Sequence, residues 1–190
     1  MKIGIDLDDV LGNMVPVFMR YHNDTYGTTL TKEDMWSYDF HKVLQISLEE
    51  SIKRIYDFER SSKLMDIVPI QGAKEAVQQL ANKHHLVVIT ARDDEFAQTT
   101  DHWIETHFPG MFSDIYFANH QSATSTPRNK GDICKEIGAS LMIDDSFQNA
   151  LSCYGVCDNV LLFDAPWNKH EKLLDGIHRV SSWEEILQKV

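Results

Sequence analysis

The chain has 190 residues, of which 43% are hydrophobic and 25% are charged, and its formal net charge is −11. A chain of this size buries a sufficient core without disulfides, so its three cysteines are expected to be reduced. So acidic a surface repels a phosphate backbone and argues against a nucleic-acid polymer as partner. No secretory signal or membrane-length apolar run is visible, so we expect a cytoplasmic protein without membrane contact.

The first third of the sequence combines one apolar strand with several helical segments. The segment from Lys2 to Leu7 is short and apolar, which is typical of a strand buried on both faces. A helical pattern follows from Val15 to Tyr26, and Thr31 and Ser47 each open a further segment with helix-capping spacing. We therefore predict a small helical cap, residues 13–66, inserted after the first strand.

From Pro69 onward, predicted helices and strands alternate. The predicted strands are His85 to Thr90, Ile115 to Ala118, Ser140 to Ile143 and Asn159 to Phe163. The predicted helices are Gly72 to Lys83, Asp94 to His107, Lys130 to Ile137, Phe147 to Tyr154 and a last one opened by Ser182. This alternation indicates right-handed βαβ units and a parallel sheet. We predict a three-layer, Rossmann-like α/β core domain made of residues 1–12 and 67–190.

Reactive side chains stand where the predicted strands end. The first predicted strand ends in Asp6-Leu7-Asp8-Asp9, the second in Thr90-Ala91-Arg92 and a later one in Asp144-Asp145-Ser146, and Lys130 opens the helix just before that last strand. In such sheets ligands bind at the carboxyl ends of the strands. Clustered carboxylates stay ionised only beside a cation, and oxygen ligands favour Mg²⁺. Thr90, Lys130 and backbone N–H groups can hold the oxygens of a phosphate.

The spacing of Asp6 and Asp8 suggests a chemical division of labour. Residues two apart on an extended segment share a face, so both carboxyl groups can approach one phosphorus atom. Asp6 can attack the phosphorus, while Asp8 can protonate the leaving oxygen and then activate water. A single D-x-D pair is a weak signal, because most such pairs are turn caps or solvated acids. The whole set of groups in this order indicates a phosphomonoesterase.

The sequence resembles the haloacid dehalogenase (HAD) superfamily and, within it, the 5'(3')-deoxyribonucleotidase branch. The motifs that carry the resemblance are IDLDDVL, VVITAR, Lys130 and LMIDDS, together with PIQGAKEAVQQL and LLFDAPWN. It implies a nucleophile at Asp6, a general acid/base at Asp8, and Mg²⁺ held by Asp6, the Asp8 backbone carbonyl and Asp145. Asp144 would support these ligands by fixing Lys130. The resemblance places Thr90, Ala91, Arg92 and Lys130 around the phosphate.

The branch implies a nucleoside monophosphate as substrate and a 5'-nucleotidase activity. Its members hold the base between aromatic residues of the cap, and the candidates here are Met14, Phe18, Trp36, Tyr38 and Phe40. Ordinary core packing explains each of these residues about as well. Two alternatives remain, a phosphatase for another small ester such as a sugar phosphate, and a non-catalytic binding protein on the same scaffold. A homodimer is possible, because the branch often forms dimers.

Overall fold

The computed structural model describes residues 1–120, 122 and 125–190 of the chain. Within these residues the centre of the molecule is a six-stranded sheet in the order β3-β2-β1-β4-β5-β6. The strands are β1 Lys2–Ile5, β2 His85–Thr90, β3 Asp114–Phe117, β4 Leu141–Asp144, β5 Asn159–Phe163 and β6 Ile177–Val180. All five neighbouring pairs are parallel. The predicted α/β class with a parallel sheet is confirmed.

Helices precede or follow each strand. They are α1 Met14–Tyr26, α2 Phe40–Leu44, α3 Leu48–Glu59, α4 Ala73–Ala81, α5 Ala97–His107, α6 Lys130–Ile137, α7 Phe147–Cys153 and α8 Trp183–Lys189. Short 3-10 helices cover Lys32–Asp34, Ser62–Asp66 and Asp94–Phe96. Among the described residues, none of the helices is both long and apolar enough to cross a membrane.

The predicted helix starts in the first third of the chain have the expected local contacts. Thr31 and Asp34 form a reciprocal capping box around the first 3-10 helix. The Ser47 hydroxyl accepts the Glu50 N–H at 3.1 Å and so begins α3. The Glu50 carboxylate does not complete that box, because it accepts a hydrogen bond from Arg54 Nε at 2.7 Å instead. Side-chain capping of orphan N–H groups thus fixes where these helices begin.

We call residues 13–66 the cap segment, and it packs against the same hydrophobic core as the sheet. Ile3 and Ile5 of β1 are completely buried and lie in one cluster with Phe18 of α1 and Phe58 of α3. Phe18 and Phe58 meet edge to face, with 5.4 Å between ring centroids. The cap segment therefore covers one end of the sheet through an apolar contact. Its division from the rest of the chain as a separate domain stays a prediction.

Three features differ from the sequence-based expectations. Strand β1 ends at Ile5 rather than Leu7, so Asp6 is the first residue beyond the strand. Strand β6 (sequence IHRV) and helix α2 (FHKVL) were not predicted. Both are only four or five residues long, and too few apolar positions repeat in them to give a period.

Candidate active site

The candidate catalytic residues meet at the carboxyl edge of the sheet. Strand β1 lies between β2 and β4, with Ile5 beside Val88 on one side and Ile143 on the other. The Asp6 N–H continues this pairing by donating to the Ile143 carbonyl at 2.9 Å. The loops that follow these three strands therefore lie next to one another. This arrangement brings together acids that are more than 130 positions apart in the sequence.

Lys130 is the cation at the centre of this group. It is fully buried at the first turn of α6, and its Nζ lies 2.7 Å from Asp6 Oδ1 and 2.8 Å from Asp144 Oδ2. Burial raises the pKa of Asp6 to about 7, although Lys130 acts in the opposite direction. Asp144 and Asp6 raise the pKa of Lys130 despite its burial. Lys130 thus remains charged and holds one oxygen of Asp6 in place.

Asp144 is saturated with hydrogen bonds. Its second oxygen, Oδ1, accepts from the Ser146 N–H at 2.8 Å and from Asn149 Nδ2 at 3.2 Å, while Oδ2 accepts from Lys130. A carboxylate with both oxygens occupied in this way orients its partner rather than binding a ligand. This position agrees with the supporting role that the resemblance implies for Asp144.

Asp145 lacks such compensation. It is 2% exposed, and its Oδ1 has no hydrogen-bond partner among the described residues. Burial, followed by the charges of Asp6 and Asp144, raises the pKa of Asp145 well above its usual value. Carboxylate oxygens of these three residues lie within 4.8 Å of one another. A buried, unpaired carboxylate oxygen beside two further acids is what a hard divalent cation such as Mg²⁺ would satisfy, so the donor set fits that ion.

The backbone carbonyl of Asp145 is held from the other end of the chain. It accepts hydrogen bonds from Trp167 Nε1 at 3.2 Å and from Asn168 Nδ2 at 2.7 Å. Asn168 in turn accepts from Arg179 Nη1 of β6 through its Oδ1. Trp167 therefore packs beside the site with its indole N–H bonded, and the loop between β5 and β6 fixes the position of Asp145.

Asp8 and Arg92 form a second charged pair at the opening of the site. Arg92 Nε and Nη2 donate to the two oxygens of Asp8 at 2.8 and 2.7 Å, and Arg92 Nη1 donates to Thr100 Oγ1 at 3.3 Å. Thr90 is fully buried at the end of β2, and its hydroxyl accepts the Arg92 N–H at 3.2 Å. Ala91 and Arg92 line the same cavity as Asp6 and Asp8. The phosphate-binding role of the loop Thr90-Ala91-Arg92 stays a prediction.

Asp9 is a residue that the sequence reading did not assign to the site. Its φ is +58°, in the left-handed region that non-glycine residues rarely adopt. Its Oδ2 accepts the Val15 N–H at 3.0 Å, and its Oδ1 pairs with Lys32 Nζ at 2.6 Å. These contacts turn the chain sharply after Asp8 and fasten the start of α1. Burial raises the pKa of Asp9 to about 6.

Two adjoining cavities lie above these carboxylates. The smaller one, of about 310 Å³, is lined mainly by apolar side chains and ends at Asp9 and Asp145. The larger one, of about 670 Å³, is lined by Asp6, Asp8, Ala91 and Arg92 on one side and by the cap segment on the other. Met14, Tyr38 and Phe40 line both. The cap segment therefore forms the roof of the site.

The predicted substrate-pocket residues fall into two groups. Met14, Tyr38 and Phe40 reach the cavities. Phe18 is 1% exposed and packs edge-on beneath Phe40, with 5.0 Å between ring centroids, so it is a core residue. Trp36 is 62% exposed and lines neither cavity. The structure does not bring Phe18 or Trp36 to the site.

The cap helix α3 adds side chains that the sequence reading missed. Tyr56 and Glu59, three residues apart and so on one face of α3, line the larger cavity together with Asp93 and His120. The Tyr56 hydroxyl donates to Asp93 Oδ2 at 2.6 Å. The sequence signal for Tyr56 and Glu59 was their helical spacing, and that spacing does not show which face of α3 lines the cavity.

A family model and several curated proteins match nearly the whole chain. The model for the 5' nucleotidase, deoxy (pyrimidine), cytosolic type C protein family (NT5C) matches residues 1–190. The 5'(3')-deoxyribonucleotidase of Bacillus subtilis is 27% identical over 99% of this chain and 97% of that protein. The enzyme of the same name from Clostridium acetobutylicum is 26% identical over 96% of this chain and 91% of its own length.

Solved structures show the same fold at lower identity. A haloacid dehalogenase-like hydrolase from Streptococcus pneumoniae superposes with a TM-score of 0.71 and 13% identity, covering 99% of this chain and 97% of that one. A HAD-superfamily hydrolase of subfamily IA from Geobacter sulfurreducens gives a TM-score of 0.66 and 17% identity, covering 99% and 95%. These likenesses show that the chain has the same fold as these hydrolases.

Proposed function

We propose that this chain hydrolyses nucleoside monophosphates to nucleoside and phosphate, because it belongs to the 5' nucleotidase, deoxy (pyrimidine), cytosolic type C protein family. Membership makes the chain a phosphoric monoester hydrolase of the HAD superfamily. The observation that carries the finer proposal is the buried group of Asp6, Lys130 and Asp145, of which Asp6 lines a cavity together with the aromatic residues Tyr38 and Phe40.

Asp6, the Asp8 backbone carbonyl and Asp145 would hold a Mg²⁺ ion in this proposal. The bound ion supplies positive charge that neutralises a phosphate dianion and the surrounding carboxylates. The unpaired Asp145 oxygen supports this assignment, because only a cation or a proton compensates a carboxylate at such a depth. Asp144 stays outside the ligand set, since its oxygens are already bonded to Lys130, Ser146 and Asn149.

Asp6 acts as the nucleophile in the first step. One carboxylate oxygen bonds to phosphorus while the bond from phosphorus to the ester oxygen breaks, and the ester oxygen takes a proton from Asp8. Lys130 keeps Asp6 ionised and holds its other oxygen still. In the second step Asp8 removes a proton from water, the water oxygen attacks phosphorus, and the bond from phosphorus to Asp6 breaks. Phosphate leaves, and both carboxyl groups return to their starting states.

Arg92 has to release Asp8 for the first step to occur. A bidentate guanidinium stabilises the ionised form of Asp8, whereas protonation of a leaving group needs the acid form. A phosphate dianion in the cavity competes for the same guanidinium. We therefore expect Arg92 to turn from Asp8 towards the phosphate when substrate binds, which leaves Asp8 free to carry a proton.

The leaving nucleoside would occupy the larger cavity. Tyr38 and Phe40 offer aromatic walls for a base, and Met14 offers an adaptable apolar one. The cap segment would exclude water from the phosphorus during attack. Cytoplasmic location, homodimer formation and the lack of a nucleic-acid partner stay predictions.

Phosphate release from a panel of phosphomonoesters, with and without MgCl₂, tests the proposal. Nucleoside monophosphates should be hydrolysed only with the metal, and the Asp6→Asn variant should release no phosphate. Brisk turnover of sugar phosphates with none of any nucleotide would remove the nucleotide part of the proposal. Retained turnover in Asp6→Asn would contradict covalent catalysis by this residue.

A further inference from the structure

Glu59 is an acidic side chain that lines the larger cavity, and the described part of the chain gives its carboxyl group no partner. It is the last residue of α3 and lines the cavity opposite Asp6 and Asp8. Across residues 1–120, 122 and 125–190, no hydrogen-bond donor or cation lies within bonding distance of its carboxyl group. Its carboxyl oxygens remain accessible from the cavity, so a ligand bound there can complete their hydrogen bonds.

The polar neighbours of Glu59 in the same cavity are already paired. Tyr56 donates its hydroxyl proton to Asp93, and Arg92 uses its Nε and Nη2 on Asp8. The hydrogen-bonding capacity of Glu59 is therefore directed into the cavity rather than at the protein.

A carboxyl group at this place can coexist with a phosphate ester. Burial raises the pKa of Glu59 to about 8, although Arg92 acts to lower it. At neutral pH much of it is therefore protonated, which reduces repulsion of the phosphate and gives it both a donor and an acceptor. The natural partner for such a group is a hydroxyl, which also donates and accepts.

We propose that Glu59 binds the free sugar hydroxyl of the leaving nucleoside, the 3'-hydroxyl of a nucleoside 5'-monophosphate. This inference rests on the proposed function and adds a specificity-determining residue to it. The chain then selects esters whose leaving group carries a hydroxyl near the ester oxygen. Since Glu59 belongs to the cap segment, the contact also joins that segment to the phosphate-binding loops through the substrate.

The size of the effect follows from what is lost when the hydroxyl is missing. A site built to hydrogen-bond a hydroxyl rejects the analogue that lacks it, because its own polar group is left unpaired. For one partly exposed hydrogen bond we expect a discrimination of about 10- to 100-fold in kcat/KM. An aromatic wall alone cannot produce this selectivity, since both analogues present the same base.

The test compares 2'-deoxynucleoside 5'-monophosphates with their 2',3'-dideoxy analogues. The wild-type chain should prefer the 2'-deoxy compound by about 10- to 100-fold in kcat/KM, and Glu59→Ala should lower this ratio to below about threefold. Glu59→Gln should retain most of the ratio, because an amide still donates and accepts. Glu49→Gln is the matched control, since Glu49 lies exposed on the same helix and undergoes the same substitution. An unchanged ratio in Glu59→Ala overturns the inference.

Calorimetric binding of the free nucleosides separates this inference from the proposed hydrolysis. If the wild-type chain hydrolyses no nucleotide but binds a 2'-deoxynucleoside more tightly than the dideoxy analogue in a Glu59-dependent way, recognition stands and the proposed function fails. If nucleotides are hydrolysed while both nucleosides bind equally to the wild type and to Glu59→Ala, the proposed function stands and the inference is wrong.

Discussion

Arg92 donates two parallel hydrogen bonds to Asp8, from Nε to Oδ2 at 2.8 Å and from Nη2 to Oδ1 at 2.7 Å. The two residues follow different strands, so this pair ties the loop after β1 to the loop after β2. Arg92 is almost completely buried, whereas the Asp8 side chain is 20% exposed and faces the larger cavity. The pair thus holds the proposed acid at the boundary between the protein interior and the substrate.

Replacement of Arg92 by lysine should damage catalysis more than stability. Lysine keeps the charge but loses the planar fork that can bind two phosphate oxygens once substrate has drawn Arg92 from Asp8. We expect kcat/KM for nucleotides to fall by about 10- to 100-fold. Steady-state kinetics check this, with Arg60→Lys as control, since Arg60 pairs with Glu95 on the surface at 2.7 Å. An equal loss in both variants would contradict a special role for Arg92.

Asp6→Asn should lose turnover while keeping its fold. Asparagine cannot form the acyl-phosphate, so kcat should fall by about 10⁴-fold or more. The pKa of Asp6 is raised to about 7, so its charge is disfavoured by the folded protein and its removal should cost little stability. Thermal melting should show a transition close to that of the wild type, while phosphate release is lost. Loss of the cooperative unfolding transition in Asp6→Asn would indicate that Asp6 is needed for folding.

Asp145→Asn should abolish the effect of Mg²⁺ on stability. An ion that binds only the folded state adds about 2.7 kcal/mol at one hundred times its Kd. The wild-type melting temperature should therefore rise with MgCl₂, and that of Asp145→Asn should not. Asp158→Asn, a substitution at an exposed position, serves as the control and should respond as the wild type does. A Mg²⁺-dependent rise in Asp145→Asn would remove Asp145 from the ligand set.

Glu59 should make the metal-free protein less stable as pH rises. Its pKa is about 8 in the folded chain against a usual 4.5, so between these values the folded state holds a proton that the unfolded state has lost. Stability from this group is complete below about pH 4.5 and declines as the pH rises towards 8. Urea unfolding in EDTA at several pH values should show this slope, and Glu59→Gln should flatten it. A steeper dependence of stability on pH in Glu59→Gln would contradict a raised pKa of Glu59.

Phe40 and Trp36 should differ in their effect on substrate binding. Phe40 lines both cavities, whereas Trp36 is 62% exposed and lines neither. Phe40→Ala should raise KM for nucleotides by about tenfold through the loss of an aromatic wall. Trp36→Ala should leave KM within about twofold, because surface substitutions away from a site have small effects. Initial-rate measurements on one nucleotide give KM for both variants. A larger increase in KM for Trp36→Ala than for Phe40→Ala would place the base outside the two cavities.

The strand ends were predictable because buried strands leave a clear apolar pattern. HLVVIT ends in Thr90 and LMID ends in Asp144, so reactive residues stand at the strand ends, and parallel topology then forces them to one edge. Glu59 was not predictable in the same way. Its position depends on the angle at which α3 packs against α1, and that angle is set by contacts such as the one between Phe18 and Phe58, not by local sequence.

Asp9 and strand β6 show a different limit. The left-handed backbone of Asp9 is held by the Val15 N–H, six residues on, and by Lys32, 23 residues on, which bind its two oxygens. Strand β6 is specified by pairing with β5 rather than by its own four residues. Long-range contacts such as these override weak local preference.

Hydrogen bonds run from Arg179 of β6 to Asn168 and from Asn168 to the Asp145 carbonyl, so the last strand helps to position a proposed metal ligand. Trimming the chain before β6, or grafting another domain into the loop that carries Asn168, would disturb Asp145, which follows a different strand, β4. A shortened or fused form of this protein should therefore tolerate changes at the exposed surface of the cap segment better than changes at the edge strand β6.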